Sequence, residues 1–188
     1  ELEEEVDFRV VNGSNEIKSS DLISQKMFYL MVNGSLTIGT DTQNHLAQCV
    51  GISVNGSLIC PERIYTALPN INVNGSVTCY PDDAVVLKRS AVIDRLFALR
   101  AKNRLYWSAK RMIMTDHELE GEVLRRRGAS FSSGEFIITQ SKVETLLELI
   151  DEKAEIIIVP DNTSVVEDDI ILDEDNLRRY GNRLYVIG

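Results

Sequence analysis

One short phrase recurs four times and limits what this chain can become. Val11-Asn12-Gly13-Ser14 returns as Val32-Asn33-Gly34-Ser35, Val54-Asn55-Gly56-Ser57 and Val73-Asn74-Gly75-Ser76. The asparagines lie 21, 22 and 19 residues apart. A near-fixed period of about 20 residues means one small unit used repeatedly, unable to bury an apolar face alone and stable only when stacked on its neighbours.

The residues on either side say what the unit is. Leu30-x-Val32 and Leu36-x-Ile38 flank one copy, Ile52-x-Val54 and Leu58-x-Cys60 the next, Ile71-x-Val73 and Val77-x-Cys79 the last. Apolar residues at every second position are strand periodicity with one face turned inward. Asn-Gly between two such runs is a turn signal, because both residues tolerate positive φ. Two geometries satisfy it. In a hairpin the arms of one copy pair with each other, but arms of about three residues are too short to stand alone. In a corner the arms belong to one coil, and successive coils pair strand on strand. The constant period favours the corner. It sets Asn12, Asn33, Asn55 and Asn74 in a column with a spacing of about 4.8 Å. Gly13, Gly34, Gly56 and Gly75 relieve the bend, and the amides can bond along the column.

Between copies, residues 19–27, 41–49 and 61–69 read as short helices or turns, the last starting and stopping at proline. The first copy is degenerate and follows an acidic lead-in, Glu1 to Asp7. After Cys79 the phrase disappears. Residues 84–87 suit a short strand and 90–102 a helix, within an irregular insertion near 80–110. The period resumes with strands at 111–115, 135–139, 155–159 and 183–187. Helices intervene at 116–127 and 141–153, the second with Ser141 and Glu144 as a capping box. A turn at 173–180 precedes a last strand, whose outer edge is expected to lack a partner.

A strand plus a helical return in about 20 residues resembles the leucine-rich-repeat layout. The resemblance lies in period and layout. The Leu-x-x-Leu-x-Leu-x-x-Asn-x-Leu spacing is not reproduced, and no binding residue is carried across. The expected fold is therefore an α/β repeat solenoid of short parallel strands with helical or turn returns and a period of about 20–24 residues. Residues 1–188 form one repeat domain, with phrase repeats over 1–80, an irregular helical insertion over 81–110 and degenerate repeats over 111–188.

Chemistry is sparse. The three cysteines form no disulfide framework and no Cys-x-x-Cys metal unit. Cys60 and Cys79 align with Ile38 and are expected in the core, as is Cys49. His45 and His117 stand in polar turns. No nucleophile elbow, phosphate loop or His-Glu-x-x-His is present. The acidic clusters at 167–169 and 173–175 lack calcium-loop spacing. No cofactor is expected. Four of the five Asn-x-Ser/Thr sequons are the repeat phrase itself and read as structural.

Charge is uneven. Residues 88–127 hold 11 Lys or Arg against 5 Asp or Glu, while the whole chain carries −9. Lys110, Arg111, Arg125, Arg126 and Arg127 are the candidate interaction patch. The overall negative charge argues against nucleic acid. No run approaches the roughly 18 apolar residues of a membrane span. Unpaired cysteines and the absence of a signal-peptide pattern favour the cytoplasm. The function expected is a non-catalytic scaffold or protein-interaction module that meets a protein partner or itself. The competing class is an enzyme acting on a small molecule or carbohydrate with acidic residues on the strand face.

Overall fold

The computed structural model describes residues 6–17, 26–42, 46–68, 70–167, 173–181 and 183–187. His45, most of the acidic lead-in and most of the 19–27 return lie outside them. The fold is mixed α/β, with parallel strands in four small sheets and few helices, and no sheet closes into a barrel among the described residues. The chain divides into two compact units, Glu1–Asp83 and Ala84–Gly188.

In the first unit, β1 (Asp7–Asn12), β3 (Phe28–Asn33), β5 (Cys49–Asn55) and β7 (Ile71–Asn74) make one parallel sheet in that order. A second sheet holds β2 (Asn15–Ile17), β4 (Leu36–Ile38), β6 (Leu58–Pro61) and β8 (Val77–Tyr80). The arms of each copy fall in different sheets, so Asn-Gly-Ser turns the chain from one to the other and forms no hairpin. Register aligns Asn12, Asn33, Asn55 and Asn74. The alternating residues Leu30, Val32, Leu36, Ile38, Ile52, Val54, Leu58 and Cys60 are buried together. Burying a side chain of this kind contributes about 1.5–3 kcal/mol. Residues 61–69 return through α1 (Glu62–Ala67), and 41–49 through two single 3₁₀ turns.

One core expectation in this unit fails, and the first strand departs from the apolar alternation of the others. Cys79 pairs in register with Cys60 but is exposed, because β8 is the last strand of its sheet. In β1, Asp7 and Arg9 stand opposite Phe28 and Leu30. Arg9 lies 3.0 Å from the Asp7 carboxylate and 4.6 Å above the Phe28 ring. A charged pair covers the first strand's end of the core.

In the second unit, β9 (Val85–Val86) and β10 (Ser90–Val92) both pair with β11 (Leu105–Met114), followed by β12 (Ser130–Thr139) and β13 (Glu155–Val159). The stretch read as an insertion thus supplies two strands parallel to β11. One sheet face buries Met112, Phe136 and Ile138 with residues of α2 (Arg95–Arg100), α3 (Gly121–Arg127) and α4 (Val143–Leu146). On the other face Ile113, Ile137 and Val159 meet Val165 and Tyr185, from β14 (Ser164–Val166) and β15 (Leu184–Val186). A last helix, α5 (Glu174–Tyr180), joins β14 to β15.

Three expected helices are shorter than their patterns, and over 116–127 the helix is confined to Gly121–Arg127. Over 90–102, Ser90–Val92 is strand and the helix begins only after Asp94, whose Oδ1 accepts from Phe97 N at 2.7 Å. Over 141–153, four α-helical residues lie between 3₁₀ turns. Ser141 does not cap its own helix; its hydroxyl donates to Asp161 Oδ1 at 2.8 Å.

Candidate functional site

The corner column is the most ordered polar feature. Asn55 Nδ2 donates to Asn33 Oδ1 and Asn33 Nδ2 to Asn12 Oδ1, each at 3.0 Å. The Ser35 and Ser57 hydroxyls lie 2.8 Å apart. Main-chain bonds run beside them: Gly13 N to Asn33 O at 2.9 Å, Gly34 N to Asn55 O at 3.0 Å, Gly56 N to Asn74 O at 3.1 Å. The glycine is required twice over. Gly56 has φ +150°, and a Cβ there would sit 2.1 Å from Gly34 O. Gly34 and Gly75 are equally close to the preceding copy, whereas a Cβ on Gly13 meets open space.

The column ends unfinished. Neither the Asn74 amide nor Gly75 N–H has a hydrogen-bond partner among the described residues. At the same edge Ile71 and Val73 are half-buried, Val77 is 39 % exposed and Cys79 is exposed. Inside, burial pushes the Cys60 thiol up to about 12, with Cys79 adding to the effect. The Tyr80 hydroxyl donates to Ile38 O at 2.7 Å, and burial raises its pKa as well. In both groups burial disfavours the ionised form that would act as a nucleophile.

The expected basic patch does not assemble as one surface. Lys110 is exposed, and Arg125, Arg126 and Arg127 occupy the exposed last turn of α3, where cations favour the helix dipole. Arg125 is spent on Glu122 at 2.6 Å and Glu148 at 3.6 Å. Arg111 is buried, a correction to its place in the patch. Two residues of β11, Ala109 and Lys110, stand against Gly134 alone in β12. After that bulge Arg111 faces Glu135 (3.0 Å) and Glu167 (3.6 Å). The Arg111–Glu135 pair is close but not aligned for a hydrogen bond, and Ser133 Oγ, two residues before Glu135, is buried without a hydrogen-bond partner among the described residues. Ser90 donates its hydroxyl to Glu167.

Three aspartates that sequence reasoning passed over hold neighbouring returns together. Asp82 Oδ1 accepts from Arg63 N at 3.0 Å, Asp116 Oδ2 from Arg95 N at 2.8 Å, and Asp161 Oδ1 from Ser141 N at 3.1 Å. Each caps a return 19 to 21 residues earlier in the chain. Their common signal was an Asp separated by one residue from a strand end, in Tyr80-Pro81-Asp82, Met114-Thr115-Asp116 and Val159-Pro160-Asp161.

A cavity of about 340 Å³ opens beside α2, lined by Val92, Asp94, Leu96, Phe97, Arg100 and Tyr106 among others. Asp94 is its sole carboxylate and is engaged by Phe97 N. His117 is exposed, 3.6 Å from Asp116. Among the described residues no group of three or more His, Cys, Asp or Glu could hold a metal ion. No described helix is long and apolar enough to cross a membrane. No family model, curated protein or solved structure matches this chain.

Proposed function

We propose that the protein is a non-catalytic interaction module whose copies stack as coils of an α/β solenoid, leucine-rich-repeat-like in layout. It self-associates by adding the first coil of a second copy to the β7–β8 edge. The unfinished column supports this reading. That edge presents Gly75 N–H and Asn74 Oδ1 without partners. Along the column each glycine N–H donates to the next asparagine carbonyl, and each asparagine amide to the preceding one. A second copy's Asn12 offers the complementary amide, and its carbonyl, which accepts from Asn15 Nδ2 of its own chain at 3.4 Å, has a second lone pair to share. Such a head-to-tail contact uses the β-strand addition that unpaired edges invite. The Asp7–Arg9 pair on the incoming strand costs desolvation and keeps the contact reversible.

Sedimentation of the full chain at several protein and salt concentrations tests it. Association should rise with protein concentration and respond little to salt, since charges screened beyond about 8–10 Å are not its source. Val77→Lys should abolish it. A monomer under every condition rejects the reading. Association that vanishes in high salt would assign the contact to charged faces instead. The competing enzymatic reading draws no support from the α2 cavity, whose one carboxylate caps a helix.

A further inference from the structure

We infer that Asn74-Gly75 is a site of spontaneous deamidation, and that the corner column protects the other three copies from the same reaction. The chemistry is intramolecular. The Gly75 main-chain nitrogen attacks Asn74 Cγ, and a C–N bond forms as the Cγ–Nδ2 bond breaks. The nitrogen's proton leaves with the side-chain nitrogen as ammonia. Water then opens the resulting succinimide at either carbonyl, giving aspartate or isoaspartate. A glycine after the asparagine leaves this ring closure unhindered by a side chain, and all four copies have one.

What differs between copies is hydrogen bonding. At Asn12, Asn33 and Asn55 the attacking nitrogen is held in place: Gly13 N, Gly34 N and Gly56 N donate to carbonyls of the next copy at 2.9, 3.0 and 3.1 Å. The side-chain amides of these three asparagines are also tied together. Ring closure there must break the main-chain bond and turn the amide out of the column. Gly75 N has no partner among the described residues, and the Asn74 amide has none. Asn74, Gly75 and Ser76 are all exposed, so water reaches the site. Isoaspartate would route the main chain through the former side chain and add a carbon at the corner between β7 and β8. The reaction needs no enzyme and does not depend on the proposed self-association.

The test ages the unmodified full chain, at low protein concentration, in mildly alkaline buffer, and follows each copy by peptide mapping. Asn74 should convert at least about tenfold faster than Asn12, Asn33 or Asn55, because a protected site must first open locally. Chain aged in denaturant should convert all four at similar rates. Equal rates in the native protein, or an earlier loss at Asn33 or Asn55, would overturn the inference. So would a preference for Asn74 that persists in denaturant, which would trace it to flanking residues rather than to the column.

Discussion

At the residue scale the corner glycines carry a graded cost. Gly56→Ala forces a Cβ to 2.1 Å from Gly34 O and holds alanine at φ +150°. Overpacking and backbone strain together should cost about 3–5 kcal/mol. Gly13→Ala meets only the positive φ and should cost about 1 kcal/mol. Denaturant unfolding of the two variants measures the difference; equal losses would mean that the copies do not touch at the corner. The thiols separate in the same way. Cys79 should label rapidly in the native protein, while Cys49 and Cys60, buried and with raised pKa, should label only after unfolding. Arg111→Ala should cost about 3 kcal/mol, because it strands the Glu135 carboxylate in a poorly solvated site. The double replacement Arg111→Met with Glu135→Leu should recover most of that loss, which a denaturant midpoint reads directly. Failure to recover would mean that Arg111 holds Glu167 rather than balancing Glu135.

At the element scale the returns depend on aspartates contributed about one period later. Main-chain N–H groups of Arg95 and Glu118 lower the pKa of Asp116. The Ser141 hydroxyl, then its N–H, lowers that of Asp161. A carboxylate whose pKa is depressed in the folded state adds stability that is complete above the ordinary Asp value of about 3.9 and is lost as pH falls through the folded value. The wild-type chain should therefore lose stability on acidification below about pH 4 more steeply than an Asp116→Asn, Asp161→Asn variant. That variant should be the less stable of the two at neutral pH. Parallel stability curves for the two proteins would show that the caps contribute nothing. These aspartates were not legible as caps in the sequence. A residue that satisfies a helix 19 to 21 positions behind it looks, in sequence, like a turn residue of its own segment. The same blindness lengthened the helix expected at 141–153, where Ser141 serves Asp161 and a four-residue helix suffices.

At the scale of the whole molecule, three of the eleven basic residues of the 88–127 segment are engaged by carboxylates inside the second unit. Arg95 pairs with Glu118, Arg125 with Glu122 and Glu148, and Arg111 with Glu135 and Glu167. Arg126 and Arg127 remain exposed, at the end of a helix whose dipole they complement. If association runs through the β7–β8 edge, reversing them in an Arg126→Glu, Arg127→Glu variant should leave sedimentation unchanged. A loss of association in that variant would move the contact to the basic segment. Each unit has a core of its own, built from Leu30, Val32, Leu36 and Ile52 in one and Met112, Phe136 and Ile138 in the other.

The sequence by itself determined the corner. Four identical phrases at near-constant spacing, each flanked by alternating apolar residues, leave little room but parallel pairing of equivalent strands, because period and alternation are local properties. It also determined which side chains face inward within a copy. Only the tertiary structure decided which inward positions are covered. Cys60 and Cys79 are equivalent in sequence, yet one is buried and the other exposed, since burial depends on whether a further strand lies beyond. Arg111 read as one of a run of surface cations, but a bulge in β11 turned it toward two carboxylates. Local pattern records what a residue can do in its own strand. Neighbours a period or more away settle what it does, and those distances close only when the chain has folded.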